Sequence, residues 1–384
     1  MEKVISTERI PIKLWLDNME KGALEQAKNL ANLPFAYKHI AIMPDSHQGY
    51  GMPIGGVLAA ENTIIPNAVG VDIGCGMCSL RTSLEEIDTE RLKKVMGTIR
   101  DTVPVGRNHH NNKQDEKWMP KIDSEMPIVK QEYESATYQV GTLGGGNHFI
   151  EIQKGSDGYI WIMIHSGSRN IGYTVAKHYN KKAKKLNELW NSETPKDLSF
   201  FPQETEEFTD YLNEMNYCIE FALNNRKLMM ERVKSAFSDV IGAVEFSDFI
   251  NKPHNFASWE NHYGKDVIVH RKGATRARKG ELGMIPGSQG AYSYIIKGKG
   301  NTESFESCSH GAGRVMSRTK AKKSLSVEKE TEMLEEMGVL HAIRSESDLD
   351  EAPGSYKDIQ EVMNYQTDLV DIVIKLKPLG VIKG

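Results

Sequence analysis

The chain has 384 residues, 39% of them hydrophobic, with 48 basic and 52 acidic side chains and a net charge of −4. This supports a full core in one large or two ordinary domains, offers no run of about 18 apolar residues to cross a membrane, and gives no bulk attraction to nucleic acid. Met1-Glu2-Lys3-Val4 lacks the basic-then-apolar order of a signal peptide, so the protein is expected in the cytoplasm, and four cysteines (Cys75, Cys78, Cys218, Cys308) do not suggest a disulfide framework.

From residue 37 to 82, the apolar runs YKHIAIMPD, GVLAAENTIIP and AVGVDIGCGMCSLRT are broken by Gly and Pro and predict buried strands with functional turns between them. Residues 85–101 predict a helix with Ile87, Leu92, Val95 and Ile99 near one face. The polar stretch from Arg107 to Trp118, with His109 and His110, predicts a mobile surface loop. A strand pair is expected around GTLGGGNHFIEIQ and YIWIMIHSGSRN. The longest helical pattern is 204–237, where Phe208, Leu212, Met215, Ile219, Ala222, Met229 and Val233 recur at three- and four-residue steps. It belongs to a helical insert over about 176–237, in which Lys181 to Lys185 read as a solvated face. A further helix is expected at 356–375, after the Pro353-Gly354 turn. The chemically interesting residues are scattered from 45 to 383 without repeat or linker, which predicts one integrated domain, α+β in class, with mixed sheets around a cleft.

In Ser307-Cys308-Ser309-His310-Gly311-Ala312-Gly313-Arg314, one imidazole stands among small residues whose backbone can approach a phosphate closely. His310 is a candidate nucleophile there, against the plainer reading of a turn histidine, and Arg314 could hold phosphate oxygens. The segments 265–279 and 314–323 are basic and interleaved with glycines and hydroxyls, which favours an anion-binding surface. Asp72 and Cys75 in VDIGCG, His148 in GGGNHFIE, His165 in MIHSGSRN and His254 in KPHNFAS each offer a metal ligand on a short turn-bearing segment. Such a mixed set suggests one or two catalytic divalent ions; thiolate favours zinc and carboxylate with open positions favours manganese. Cys75-Gly-Met-Cys78 has no second CxxC to complete a zinc site. GTLGGGNHF fits no standard phosphate-loop pattern, and Ser288, Ser293 and Lys383 alone read as turn chemistry and a frayed end.

Taken together, MPDSHQGYGMPIGGVLA, VDIGCG, GTLGGGNHFIE, IHSGSRNIG, PHNFA, VIVHRKGATRA, IPGSQGAYSY, SCSHGAGR, DEAPGSYKDI and the closing Lys-Gly resemble, in order, the RtcB family of RNA-splicing and RNA-repair ligases. The resemblance implies a GTP- and manganese-dependent enzyme that joins an RNA 3′-phosphate or 2′,3′-cyclic phosphate to a 5′-hydroxyl. It implies His310 as the histidine that carries GMP, and Asp72, Cys75, His148, His165 and His254 as ligands of two manganese ions, with Cys75 shared. The guanylate would be held by Asn147, His148, Phe149, Ile150, Glu151, His254, Asn255, Pro286, Gly287, Ser288, Gln289, Ser293, His310, Gly311, Ala312, Gly313, Tyr356 and Lys383, and RNA would be touched by Arg169. An archease-like activator is a further implied partner, and a monomer with no membrane association is expected. The rival readings are a guanylyltransferase that caps 3′-phosphate ends without sealing them, a metal-dependent phosphodiesterase or phosphatase, and a non-catalytic RNA-binding module. Cys78 falls outside the motif, and the chain is short for the family.

Overall fold

The computed structural model describes residues 1–195 and 197–384. Its helices include α1 (Lys21–Ala31), α2 (Pro66–Val69), α3 (Thr89–Thr102), α4 (Pro127–Gln139), α5 (Arg169–Leu189) and α6 (Glu206–Ile241). The apolar runs of the first third form strands, as their Gly and Pro punctuation predicts, and they are shared chiefly between two sheets, one mixed and one, against the expectation of mixed sheets, wholly antiparallel. One has six strands in the order Lys3–Ile5, Ile12–Leu14, Ala36–His47, Ile54–Ala60, Lys265–Lys272, Asn255–His262. The other has seven: Phe246–Pro253, Gly76–Thr82, Ile160–Ser166, Phe149–Gly155, Val370–Lys383, Ser293–Gly298, Leu282–Ile285. Ile12–Leu14 runs parallel to its neighbour Ala36–His47, and the other pairings within the two sheets are antiparallel. With the helices, these sheets make the chain α+β.

The strand Phe246–Pro253 belongs to the seven-stranded sheet and Asn255–His262 to the six-stranded one. His254 is therefore the single residue between them, the point at which the chain crosses from sheet to sheet.

The helical pattern at 204–237 is α6, whose N-cap Thr205 accepts the Phe208 N–H (3.3 Å) and whose end is Gly242 at φ +98°. Met229, Met230, Val233 and Phe237 on this helix pack against Leu80, Ile162 and Ile164 of the seven-stranded sheet, so α6 is part of the core. The helix expected at 356–375 is not formed. Only Ile359–Asn364 is helical, and Val370–Lys383 is a strand between Phe149–Gly155 and Ser293–Gly298. The β-branched run Val370-Asp-Ile-Val-Ile suits a pleated surface, and Pro378 ends helical continuity; both signals outweigh the turn at 353–354. The Arg107–Trp118 stretch is irregular but tethered: the His110 N–H donates to the Tyr138 carbonyl and its ring approaches the Gly141 carbonyl and Arg232.

Candidate active site and metal centre

Asp45, fully buried near the end of Ala36–His47, is the anchor of His310. The ladder Ala274–Arg276 with Ser307–Ser309 delivers His310 at its end. Asp45 Oδ2 then lies 2.6 Å from His310 Nδ1 and accepts the backbone N–H groups of His310 (3.0 Å) and Gly311 (3.3 Å). A carboxylate on Nδ1 fixes the ring and leaves Nε2, which has no partner among the described residues, as the free ring nitrogen. Gly313 adopts φ +75°, and a side chain there would strike the Asp45 carbonyl, so the turn closes tightly on the strand that holds the carboxylate.

The expected metal ligands meet beside it because their strand ends are adjacent in register. Gly76 pairs with both Ser166 and Pro253, and Phe149 pairs with His165. Cys75, His165, His254 and His148 are thus gathered at one end of the seven-stranded sheet. Cys75 Sγ is 3.3 Å from His165 Nε2 and 3.5 Å from His148 Nε2; His165 Nε2 is 3.3 Å from His254 Nε2, and His148 Nε2 is 3.1 Å from Asp72 Oδ2. His165 Nδ1 donates to the Asn147 carbonyl (3.0 Å), which makes its Nε2 a bare lone pair aimed at a sulfur and another ring nitrogen. Sulfur, nitrogen and carboxylate donor atoms that converge this closely fit a cation. Burial keeps His165 and His254 well below the ordinary histidine range, hence neutral, and drives the Cys75 thiol upward, with Asp72 adding to the shift. Burial also opposes ionisation of Asp72, but the His148 hydrogen bond and the His148 and Arg169 charges outweigh it and hold this carboxyl at about 2. A soft thiol, the imidazoles of His148, His165 and His254 and an ionised carboxylate suit a borderline or transition-metal ion. Cys78 is not part of this set; it is buried in the core near α6, so the CxxC spacing forms no site. A second carboxylate–histidine group, Glu260, His262 and Glu306, is closed by Arg271, which grips Glu260 with both Nη atoms (2.5 and 3.0 Å).

Behind the ligands, two adjacent buried residues of α6 hold three of the four ligand segments. Asn225 Oδ1 accepts the N–H groups of Gly141 (2.7 Å) and Thr142 (3.1 Å), while Nδ2 donates to the Thr142 and Gly167 carbonyls and Ser166 Oγ. Arg226 donates to the carbonyls of Gly74 (3.0 Å) and Ser166 (2.8 Å). Arg169, expected on RNA, begins α5 at φ +59° and donates to the Leu143 carbonyl beside His148. Gly144 lies over this guanidinium, where a side chain would collide with it.

His310, Asp72, Cys75, His165 and His254 open onto a cleft of about 640 Å³. Asn147, Phe149, Glu151, Asn255, Pro286, Gly287, Ser288, Gln289, Gly311, Ala312, Gly313, Tyr356 and Lys383 line it too. Four expected residues stand back: His148 faces Cys75 and Asp72 from outside the cleft lining. Ile150 packs in the core, Ser293 is buried with its hydroxyl accepting the Gly287 N–H (3.2 Å), and Arg169 is outside the cleft lining.

Sequence reasoning missed the residue that organises the far wall. Glu351 receives Lys383 Nζ (3.0 Å), the Tyr356 hydroxyl and Arg318, and lies 3.5 Å from Arg314. Burial works against its charge, but Lys383 and Arg318 prevail and lower it to about 2. Its motif DEAPGSYKDI was visible, yet nothing in it distinguishes Glu351 from Asp350. Arg314 carries two buried Nη atoms without hydrogen-bond partners, one of them 3.5 Å from the Glu351 carboxylate.

Glu151 is the opposite case: burial raises its carboxyl to about 8, with only partial relief from Gln153 and Lys383. Its folded pKa lies above its unfolded value, so the native state holds a proton that the unfolded chain releases, and stability falls as pH rises from about 4.5 to about 8. Urea midpoints should therefore decline over that window, and Glu151→Gln should flatten the decline; equal slopes would place the carboxyl in a less buried setting.

The family model for tRNA-splicing ligase RtcB matches residues 26–384. The chain belongs to the RtcB family. It is 40% identical to an RNA-splicing ligase RtcB from Escherichia coli, with 100% of this chain and 99% of that protein covered. It is 31% identical to a tRNA-splicing ligase RtcB from Thermococcus kodakarensis (98% and 95% covered) and 32% identical to an RNA-splicing ligase RtcB homolog from Entamoeba dispar (94% and 84%). The Thermococcus alignment runs over 459 positions, more than the 384 residues of this RtcB-family chain, so that relative has segments this one lacks.

Proposed function

We propose that the protein is an RNA ligase that uses GTP and manganese to join 3′-phosphate or 2′,3′-cyclic phosphate ends to 5′-hydroxyl ends, in RNA repair or tRNA splicing. The observation that carries this is His310: its Nδ1 is tied to Asp45, and its ring stands edge-on to the metal-site residue His254, with centroids 4.7 Å apart. His310 Nε2 attacks the α-phosphorus of GTP, a P–N bond forms and pyrophosphate leaves. An oxygen of the RNA 3′-phosphate then attacks the same phosphorus and His310 departs. The 5′-hydroxyl finally attacks the activated 3′-phosphorus, a phosphodiester forms and GMP leaves. Asp45 steadies the imidazole as it gains and loses charge. Asp72, Cys75, His148, His165 and His254 would hold manganese, which supplies charge neutralisation for the phosphates when bound. Arg314 holds phosphate oxygens, and the Glu151, Glu351 and Lys383 wall reads guanine, whose edge has both donors and acceptors.

Incubation with manganese and α-labelled GTP, followed by denaturing electrophoresis and an RNA chase, tests the scheme. Acid-labile label that leaves the protein as joined RNA appears supports it. Label stopping on the RNA 3′ end would make the protein a capping enzyme, and RNA cleavage without GTP would make it a hydrolase. Lys383→Met should reduce the preference for GTP over ATP by about tenfold or more, the worth of one buried charged hydrogen bond; unchanged preference would remove Lys383 from guanine recognition.

A further inference from the structure

Helix α5 begins beside the metal centre. The Ser168 N–H donates to Asp72 Oδ1 (3.2 Å), and Arg169, the first residue of the helix, lies against His148. From there one solvent-facing stripe runs along the helix: Tyr173, Lys177, Lys181 and Lys184 are exposed, while Ile171, Val175, Ala176, Tyr179 and Ala183 are buried on the opposite face. At about 100° per residue the four exposed side chains fall within roughly 80° of one another, with Arg169 at the stripe's cleft end. Tyr173 is 48% exposed and has Lys177 Nζ 6.0 Å from its ring centre. Among the described residues, Lys177, Lys181 and Lys184 form no ion pair, whereas Lys182, on the flank, is taken by Glu207 of α6. The carboxylate met at the cleft end, Glu132, is bound by Asn170.

We propose that this stripe is a docking track for the RNA strand that ends in the reacting 3′-phosphate. The proposal rests on the ligase reading and extends it to substrate grip. Three unpaired ammonium groups complement a chain of phosphodiesters, and Tyr173 offers a face on which a base can stack. The 3′-phosphate strand fits because the track begins at Ser168 and Arg169, beside Asp72 and His148 of the metal centre, where a charged end belongs and a neutral 5′-hydroxyl does not. Arg169 to Lys184 spans about 22 Å, enough for the short end of the ~4–16 nucleotide sites of single-strand binders. Lys181 and Lys184, which read from the sequence as a plain solvated face, are thereby a continuation of the site.

The test is the triple variant Lys177→Glu, Lys181→Glu, Lys184→Glu. Its affinity for a twelve-nucleotide RNA with a 3′-phosphate, read by fluorescence anisotropy, should fall by about tenfold or more, and the dependence of log affinity on log salt should lose about 2 units of slope, near 0.7 per phosphate contact. The KM for that strand should rise equally, while the KM for a three-nucleotide 3′-phosphate strand and the labelling of His310 by GTP stay unchanged. Unaltered anisotropy, a loss that tracks the length of the 5′-hydroxyl strand instead, or an equal loss with the three-nucleotide strand would each overturn the track. The anisotropy reading stands even if the wild-type protein seals no RNA, which would instead remove the ligase reading.

Discussion

His310→Ala is expected to abolish the protein-bound label left by α-labelled GTP, with the rate of guanylylation falling by at least about 10⁴-fold, as when a nucleophile is removed. The variant should still fold. His310 packs at the cleft surface rather than in a core, and Asp45 keeps the backbone N–H groups of residues 310 and 311 as partners; the lost ring contact accounts for about 1–2 kcal/mol. Label persisting on the folded variant would take the nucleophile's role from His310.

Asn225→Ala should have the largest effect on stability. It strips partners from two backbone N–H groups and from the Thr142 and Gly167 carbonyls, all in the buried loops that carry His148 and His165. Orphaned groups of this kind cost about 1–3 kcal/mol each before relaxation, so a loss on the order of 3–5 kcal/mol is expected. Manganese affinity should fall as well, because the two loops no longer share a fixed reference. An unfolding free energy from urea titration within about 1 kcal/mol of wild type, with unchanged metal affinity, would show that the loops hold their own geometry.

Much of this was legible in the chain itself. The strands of the first third, α6 and the five candidate ligands that the structure brings together were readable because glycine punctuation, helical spacing and donor chemistry are local signals. Asp45 lay in plain view in MPDSHQGY, but its partner is 265 residues away, and nothing local says which acidic residue a distant histidine will find. Glu351 was hidden for the same reason. Asn225 and Arg226 were hidden by period: they fall on the buried side of a helix whose pattern is otherwise apolar, and polar residues there read as tolerated exceptions until their partners are visible. The mistaken helix at 356–375 shows the reverse error, a turn signal trusted over β-branched alternation.

The crossing at His254 has a consequence for how the molecule comes apart. Cys75 and His165 belong to the end of one sheet, and His254 is the link to the other. An ion bound by all three would rivet the sheets at their shortest covalent link. Loading with metal should then merge their melting into a single cooperative transition at higher temperature, with no intermediate in which one sheet outlives the other.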